Sequence, residues 1–189
     1  MACGDITANF TFSCTDPIVA GLESTLTLIN FEDWLDATIV NDGTDDLAIK
    51  SITLATGKTA FSFAGYRNTL RTMEDSSVEN GLTRYKHVVN FQLADDDATT
   101  KRLERTLGLG TYVAIVFTKA RTIEVYGAGT GLVIQGQTQR DRYASNAVAT
   151  LQLASDDESL EVNPPANFIG TATTYDFAAA KAEVEALWL

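Results

Sequence analysis

The side chain best suited to acid–base chemistry near neutral pH occurs once, as His87 between Lys86 and Val88. One histidine and two cysteines, Cys3 and Cys14, do not make a zinc site unless the fold gathers them, and no Cys-x-x-Cys spacing is present. A Cys–His nucleophile pair has no supporting signature around these residues. Gly127-Ala128-Gly129-Thr130-Gly131 follows a strand-like run, as a phosphate-binding loop does. Phosphate loops need the N-terminus of a helix beyond them, and Leu132-Val133-Ile134 reads as strand, so a tight hairpin turn is the prediction. Asn41-Asp42-Gly43-Thr44-Asp45-Asp46 crowds oxygen ligands but lacks the ordered spacing and distal glutamate of a calcium loop. It reads as a solvated turn. Asp95–Asp97 is the acidic start of a helix, and Asp156–Glu158 is turn chemistry. Arg67, Arg71, Arg84 and Lys86 form a modestly basic stretch, which in so acidic a chain suits an acidic patch on another copy better than nucleic acid. The residues predict no catalytic, cofactor or metal site.

The elements that carry these residues are mostly strands. Val89, Phe91 and Leu93 alternate with Asn90 and Gln92, the period of a half-buried strand. Asp95 to Leu107 follows as a helix, acid first, with Arg105 near its end and Gly108 beyond. Tyr112 to Phe117 is apolar on both faces and reads as a central strand. Lys119 to Arg121 turn the chain into a strand in which Ile123 and Val125 share a face, and Leu132 to Ile134 are expected to continue the same sheet. Upstream, residues 5–14 alternate, Leu26 to Ile29 is a strand, and Phe31 to Asp36 is a short helical turn or loop. Ala37–Val40 is a further short strand, and the next run slips phase between Lys50 and Ser51, which predicts a β-bulge. Residues 65–84 read as a long loop or an extended hairpin tip, and 135–146 as a second long connection. Ala147 to Leu153 alternates, Leu160 to Val162 is expected to pair back on it, and Asn163-Pro164-Pro165 to end the sheet.

These elements predict a mainly β fold, a sandwich or barrel over 1–165 with one flanking helix at 95–107, and a C-terminal extension, 166–189. The extension carries a helix at about 175–188, with Thr174 as a possible cap and an apolar stripe of Phe177, Ala180, Val184, Leu187 and Trp188. That stripe docks either on its own domain or on a neighbouring copy. At 189 residues the chain is most economically one domain. A net charge of -11 argues against a protein that grips the phosphate backbone. No run of about 18 apolar residues predicts a membrane span. The start lacks the basic and apolar regions of a signal peptide, and the two cysteines are expected as free thiols in a reducing cytoplasm, a disulfide being the alternative.

The order of elements resembles the tail-tube family of tailed bacteriophages. The phrases that carry it are Val88-Val89-Asn90-Phe91-Gln92-Leu93, the helix 95–107, Tyr112 to Phe117, and Glu124-Val125-Tyr126-Gly127 running into Gly131-Leu132. The opening, Cys3-Gly4 through Asp16-Pro17-Ile18-Val19-Ala20-Gly21-Leu22, also resembles virion proteins of phages and prophages of Bacteroidota. The resemblance implies a virion structural protein made in the host cytoplasm, assembling as hexameric rings that stack into a channel for the genome. Its partners would be itself and other tail proteins, with DNA only as non-specific cargo in an acidic lumen and no membrane. Arg67, Arg71, Glu74, Asp75 and Glu79 in the long loop, with Phe177, Val184, Leu187 and Trp188 at the end, are the expected contacts between copies. A head–tail connector, tail terminator or capsid decoration protein would use the same architecture. A carbohydrate-binding β-sandwich is the alternative of another class.

Overall fold

Period-two alternation in so many short runs demands two sheets that bury their apolar faces on each other, and the structure has them. A computed structural model of the chain describes residues 21–43, 45–64, 69–79, 81–93, 98–135, 139–140 and 149–188. Its first half runs β1 (Leu22–Asn30), α1 (Phe31–Leu35), β2 (Thr38–Asp42), β3 (Asp45–Thr53), β4 (Phe61–Ala64), β5 (Arg71–Glu79) and β6 (Leu82–Leu93). After α2 (Ala98–Leu107) come β7 (Tyr112–Thr118), β8 (Ile123–Tyr126), β9 (Val133–Ile134), β10 (Gln139–Arg140), β11 (Ala149–Ala154) and β12 (Ala166–Phe168). Helix α3 (Phe177–Glu185) and a tight helical turn (Ala186–Trp188) close the chain.

Seven strands make the first sheet, in the order β2-β3-β12-β8-β7-β1-β4. The second sheet runs β10-β11-β6-β5, with β9 also paired to β11. Of the two forms open to the sequence, this is the sandwich. Leu26, Leu28, Ala114 and Val116 of the first sheet meet Val89, Phe91, Leu151 and Leu153 of the second in one buried cluster. The opposite face of the first sheet is covered as well. Ile29, Val113, Ile115, Phe117, Ile123 and Val125 pack there with Trp34 of α1 and with Ala180 and Val184 of α3. Strand β7 is therefore buried at every residue, its odd and even positions feeding different cores, as its unbroken apolar run predicts. The phase slip expected near Lys50 is present: Val40 pairs with Ser51 and Asn41 with Ile49, so Lys50 is the extra residue.

Four expectations are corrected. Asn163-Pro164-Pro165 does not end the sheet, because β12 follows directly and lies between β3 and β8, parallel to the former. The prolines sit in the connection, where no ladder donor is needed. Residues after 165 are thus woven into the domain rather than appended to it. Val133 and Ile134 do not continue the first sheet; they pair with Ala154 and Leu153 in the second. Glu161 pairs back on Tyr85 of β6, not on β11. The cap of α3 is Asp176, whose carboxylate accepts from the Ala178 amide at 2.9 Å, in place of Thr174.

Of its two possible docking places, α3 takes its own domain. Val184 is fully buried there and is not available to a neighbour, while Phe177, Leu187 and Trp188 pack half-buried against the same cluster. The Trp188 indole donates to the buried Thr27 hydroxyl at 3.0 Å, and the Ala60 amide donates to the Leu187 carbonyl at 2.8 Å. Residues 5–14, both cysteines, Arg67 and Asp95–Asp97 lie outside the described residues.

Candidate functional site

The chain crosses from one sheet to the other through Gly127–Gly131. Strand β8 ends at Tyr126, the loop turns with Gly131 N–H donating to the Gly127 carbonyl at 3.0 Å, and Leu132 bridges Tyr112 before β9 joins β11. It is a tight turn, as the glycines predict, but one that changes sheets instead of closing a hairpin.

Successive amides of this loop converge on one carboxylate. Gly129 N–H donates to Glu161 Oε2 at 3.0 Å, and Thr130 N–H and its hydroxyl donate to Oε1 at 2.9 and 3.0 Å. Such a concave set of amides is an anion-binding arrangement. A Cβ on Gly129 would stand 2.5 Å from Glu161 Oε2, so the approach requires glycine. The phosphate-loop likeness thus has a physical basis, and the anion held is the protein's own. Glu161 is 3% exposed and is fixed by paired main-chain bonds with Tyr85, each 2.9 Å.

His87 holds the other end of the loop. It lies on β6, 2% exposed, between a main chain tied to Ser155 and the edge of the Tyr126 ring. Gly127 N–H donates to its Nδ1 at 3.1 Å, which places the ring proton on Nε2. Nε2 makes no hydrogen bond among the described residues. Burial pushes the imidazole pKa below its ordinary 6.5, against the opposing pull of Glu161 and the Asn163 main chain. A cavity of about 250 Å³ opens beside these groups, lined by Asp46, Leu47, His87, Val125, Glu161 and Asn163.

As disposed, these groups hold the loop. All three loop donors spend themselves on Glu161, and the basic nitrogen of His87 is occupied by Gly127. Ser155 Oγ meets the His87 main chain, not its ring. Among the described residues no group of three or more His, Cys, Asp or Glu is placed to hold a metal, and no helix is long and apolar enough to cross a membrane. In the acidic turn, Asp42 pairs with Lys50 at 2.6 Å and Asp45 accepts from the Leu47 amide, which gives these carboxylates ordinary turn and surface roles.

Of the expected contact residues of the long loop, Arg71, Glu74, Asp75 and Glu79 fall on a hairpin of β5 and β6, and Arg67 lies outside the described residues. Glu74 stands opposite His87, Asp75 opposite Lys86, and Ser77 opposite Arg84, with Arg71 at the base and Glu79 at the tip. Strand β5 is the edge of its sheet, and β11 reaches β6 only from Val88 onward. Ser155 and Glu161 still bond β6 at His87 and Tyr85, and from Arg84 to the tip the hairpin is a two-stranded ribbon among the described residues. Exposed apolar side chains lie along the hairpin: Met73 at 50%, Val78 at 73% and Leu82 at 59%. Over its described residues, the stretch 65–84 thus takes the second of the two forms expected for it, a hairpin. Sequence reasoning missed Glu161 as the partner of the glycine loop. The signal was an isolated acid between Leu160 and Val162 in a chain whose glycine-rich turn presents amides to an anion. Compared with known proteins, the chain gives no significant match to any protein-family model, curated protein or solved structure.

Proposed function

We propose that the protein is a virion structural subunit that assembles with copies of itself, a tail-tube protein whose stacked rings form an acidic channel for the genome. The observation that carries this reading is the β5–β6 ribbon. A two-stranded ribbon is marginal by itself, and an edge strand with exposed apolar residues invites another strand. Among the described residues nothing pairs with the outer side of β5. Arg71, Glu74, Asp75, Arg84 and Lys86 give the ribbon both signs of charge, which suits a copy of the same chain. Among the described residues, strands β2 and β4 offer further unpaired edges at the two ends of the other sheet, as suits a head-to-tail ring. A net charge of -11 suits a conduit along which DNA must slide rather than adhere.

The test is negative-stain electron microscopy with sedimentation over a concentration series. Stacked rings or tubes are the expected result. Closed rings that never stack would move the assignment to a connector or terminator, and a monomer at every concentration would overturn self-assembly.

A further inference from the structure

We propose that the junction of His87 with Gly127 is an acid-sensitive lock, in which protonation of the imidazole releases the glycine loop and loosens the crossing between the two sheets. The geometry is restrictive. Nδ1 accepts the Gly127 N–H, so its lone pair is in use and the neutral ring carries its proton on Nε2. An added proton has only Nδ1 to occupy. It would turn the acceptor into a donor facing another donor, and the 3.1 Å bond cannot survive that. Gly127 sits at φ +75 with Leu132 packed against it, so a Cβ there would meet Leu132 Cγ at 2.6 Å.

The surroundings favour the charged ring once the junction opens. Glu161 and Asp46 line the same cavity, Glu74 is the register partner on β5, and Glu124 and Tyr126 lie on β8. Lys86, the neighbouring residue on β6, is paired with Asp157. An imidazolium freed from Gly127 would compete with the Gly129 and Thr130 amides for the Glu161 carboxylate, so the two halves of the clamp fail together.

While the lock is closed, burial keeps the His87 pKa below 6.5, so the closed state binds fewer protons than the open one. Closure is then fully favoured above pH 6.5 and weakens as pH falls from there toward the closed-state pKa. Within that window the open fraction grows by about tenfold per pH unit.

His87 is the sole histidine, so the protein's imidazole nitrogen resonances belong to it alone. The experiment is their titration by NMR, beside amide exchange at Gly127, Gly129 and Thr130 corrected for the intrinsic pH dependence. Expected are a proton on Nε2 at pH 7.5, a midpoint below 6.5, and loss of loop protection through that window. A proton on Nδ1, a midpoint at or above 6.5, or protection that ignores pH would each overturn the lock. His87→Asn keeps an acceptor oxygen near the Nδ1 position but cannot titrate, so its loop should stay protected at pH 5.5. Equal loss in the variant and the native chain would assign the effect to carboxylates and sink the proposal. Should the variant not fold, the titration and exchange of the native chain decide alone.

Discussion

Strand β7 and the β5–β6 ribbon are built from the same kind of backbone ladder and could hardly be used more differently. Every side chain of β7 is buried, Tyr112, Ala114 and Val116 between the sheets and Val113, Ile115 and Phe117 beneath the helices. From Met73 to Val78, β5 is exposed at every position, apolar and charged residues alike. The first strand takes its stability from neighbours within the chain. The second has, among the described residues, only its own hairpin partner. A domain that folds around β7 can carry such a ribbon at little cost, which leaves the ribbon's chemistry available for contacts with other molecules.

Four substitutions test that contrast, in descending order of effect on folding. Phe117→Ala empties the centre of the helix-covered core and should cost about 3–5 kcal/mol in chemical denaturation. Glu161→Gln sets an amide NH₂ against one of the donors that converge on the carboxylate. It should cost about 1–3 kcal/mol, with faster exchange at Gly129 and Thr130. Trp188→Phe keeps an aromatic ring but removes the indole N–H and deprives the buried Thr27 hydroxyl of its donor, a loss of about 1 kcal/mol in thermal unfolding. Val78→Asp, on the ribbon, should leave stability within about 0.5 kcal/mol while reducing sedimentation of any assembled species. A ribbon substitution that unfolds the monomer would erase the distinction between the two regions.

Local pattern carried the fold far. The alternation in β6 and β11, the unbroken run of β7 and the slip at Lys50 are all period signals, which need only neighbours a few residues apart. What was not legible is long-range. Gly127 and His87 are 40 residues apart, and Gly129 and Glu161 are 32 apart. No periodicity joins them. Val133 and Ile134 have the composition of strand in either sheet, so their choice of partner depends on where the glycine loop points. Strand β12 is only three residues long, Ala166–Phe168, and stands beside two prolines, where local rules argue for a stop. Its insertion is dictated by the slot between β3 and β8. The contact residues proposed on the ribbon were visible as mixed charge, but the choice between loop and hairpin was not, because Ser76, Ser77 and Glu74 carry no apolar period.

The position of β12 also sets an order of events. Synthesis delivers β2, β3, β7 and β8 well before residues 166–168, yet β3 is joined to β8 only through that short segment. A nascent chain can pair β2 with β3 and β7 with β8 as hairpins, but the first sheet stays in two pieces until the late strand arrives. The helix that seals its outer face comes later still. Closure from the C-terminal side gives the protein a high contact order and a slow final step. Until that step, unpaired edges of β3 and β8 are exposed to other nascent chains, so premature association would compete with folding.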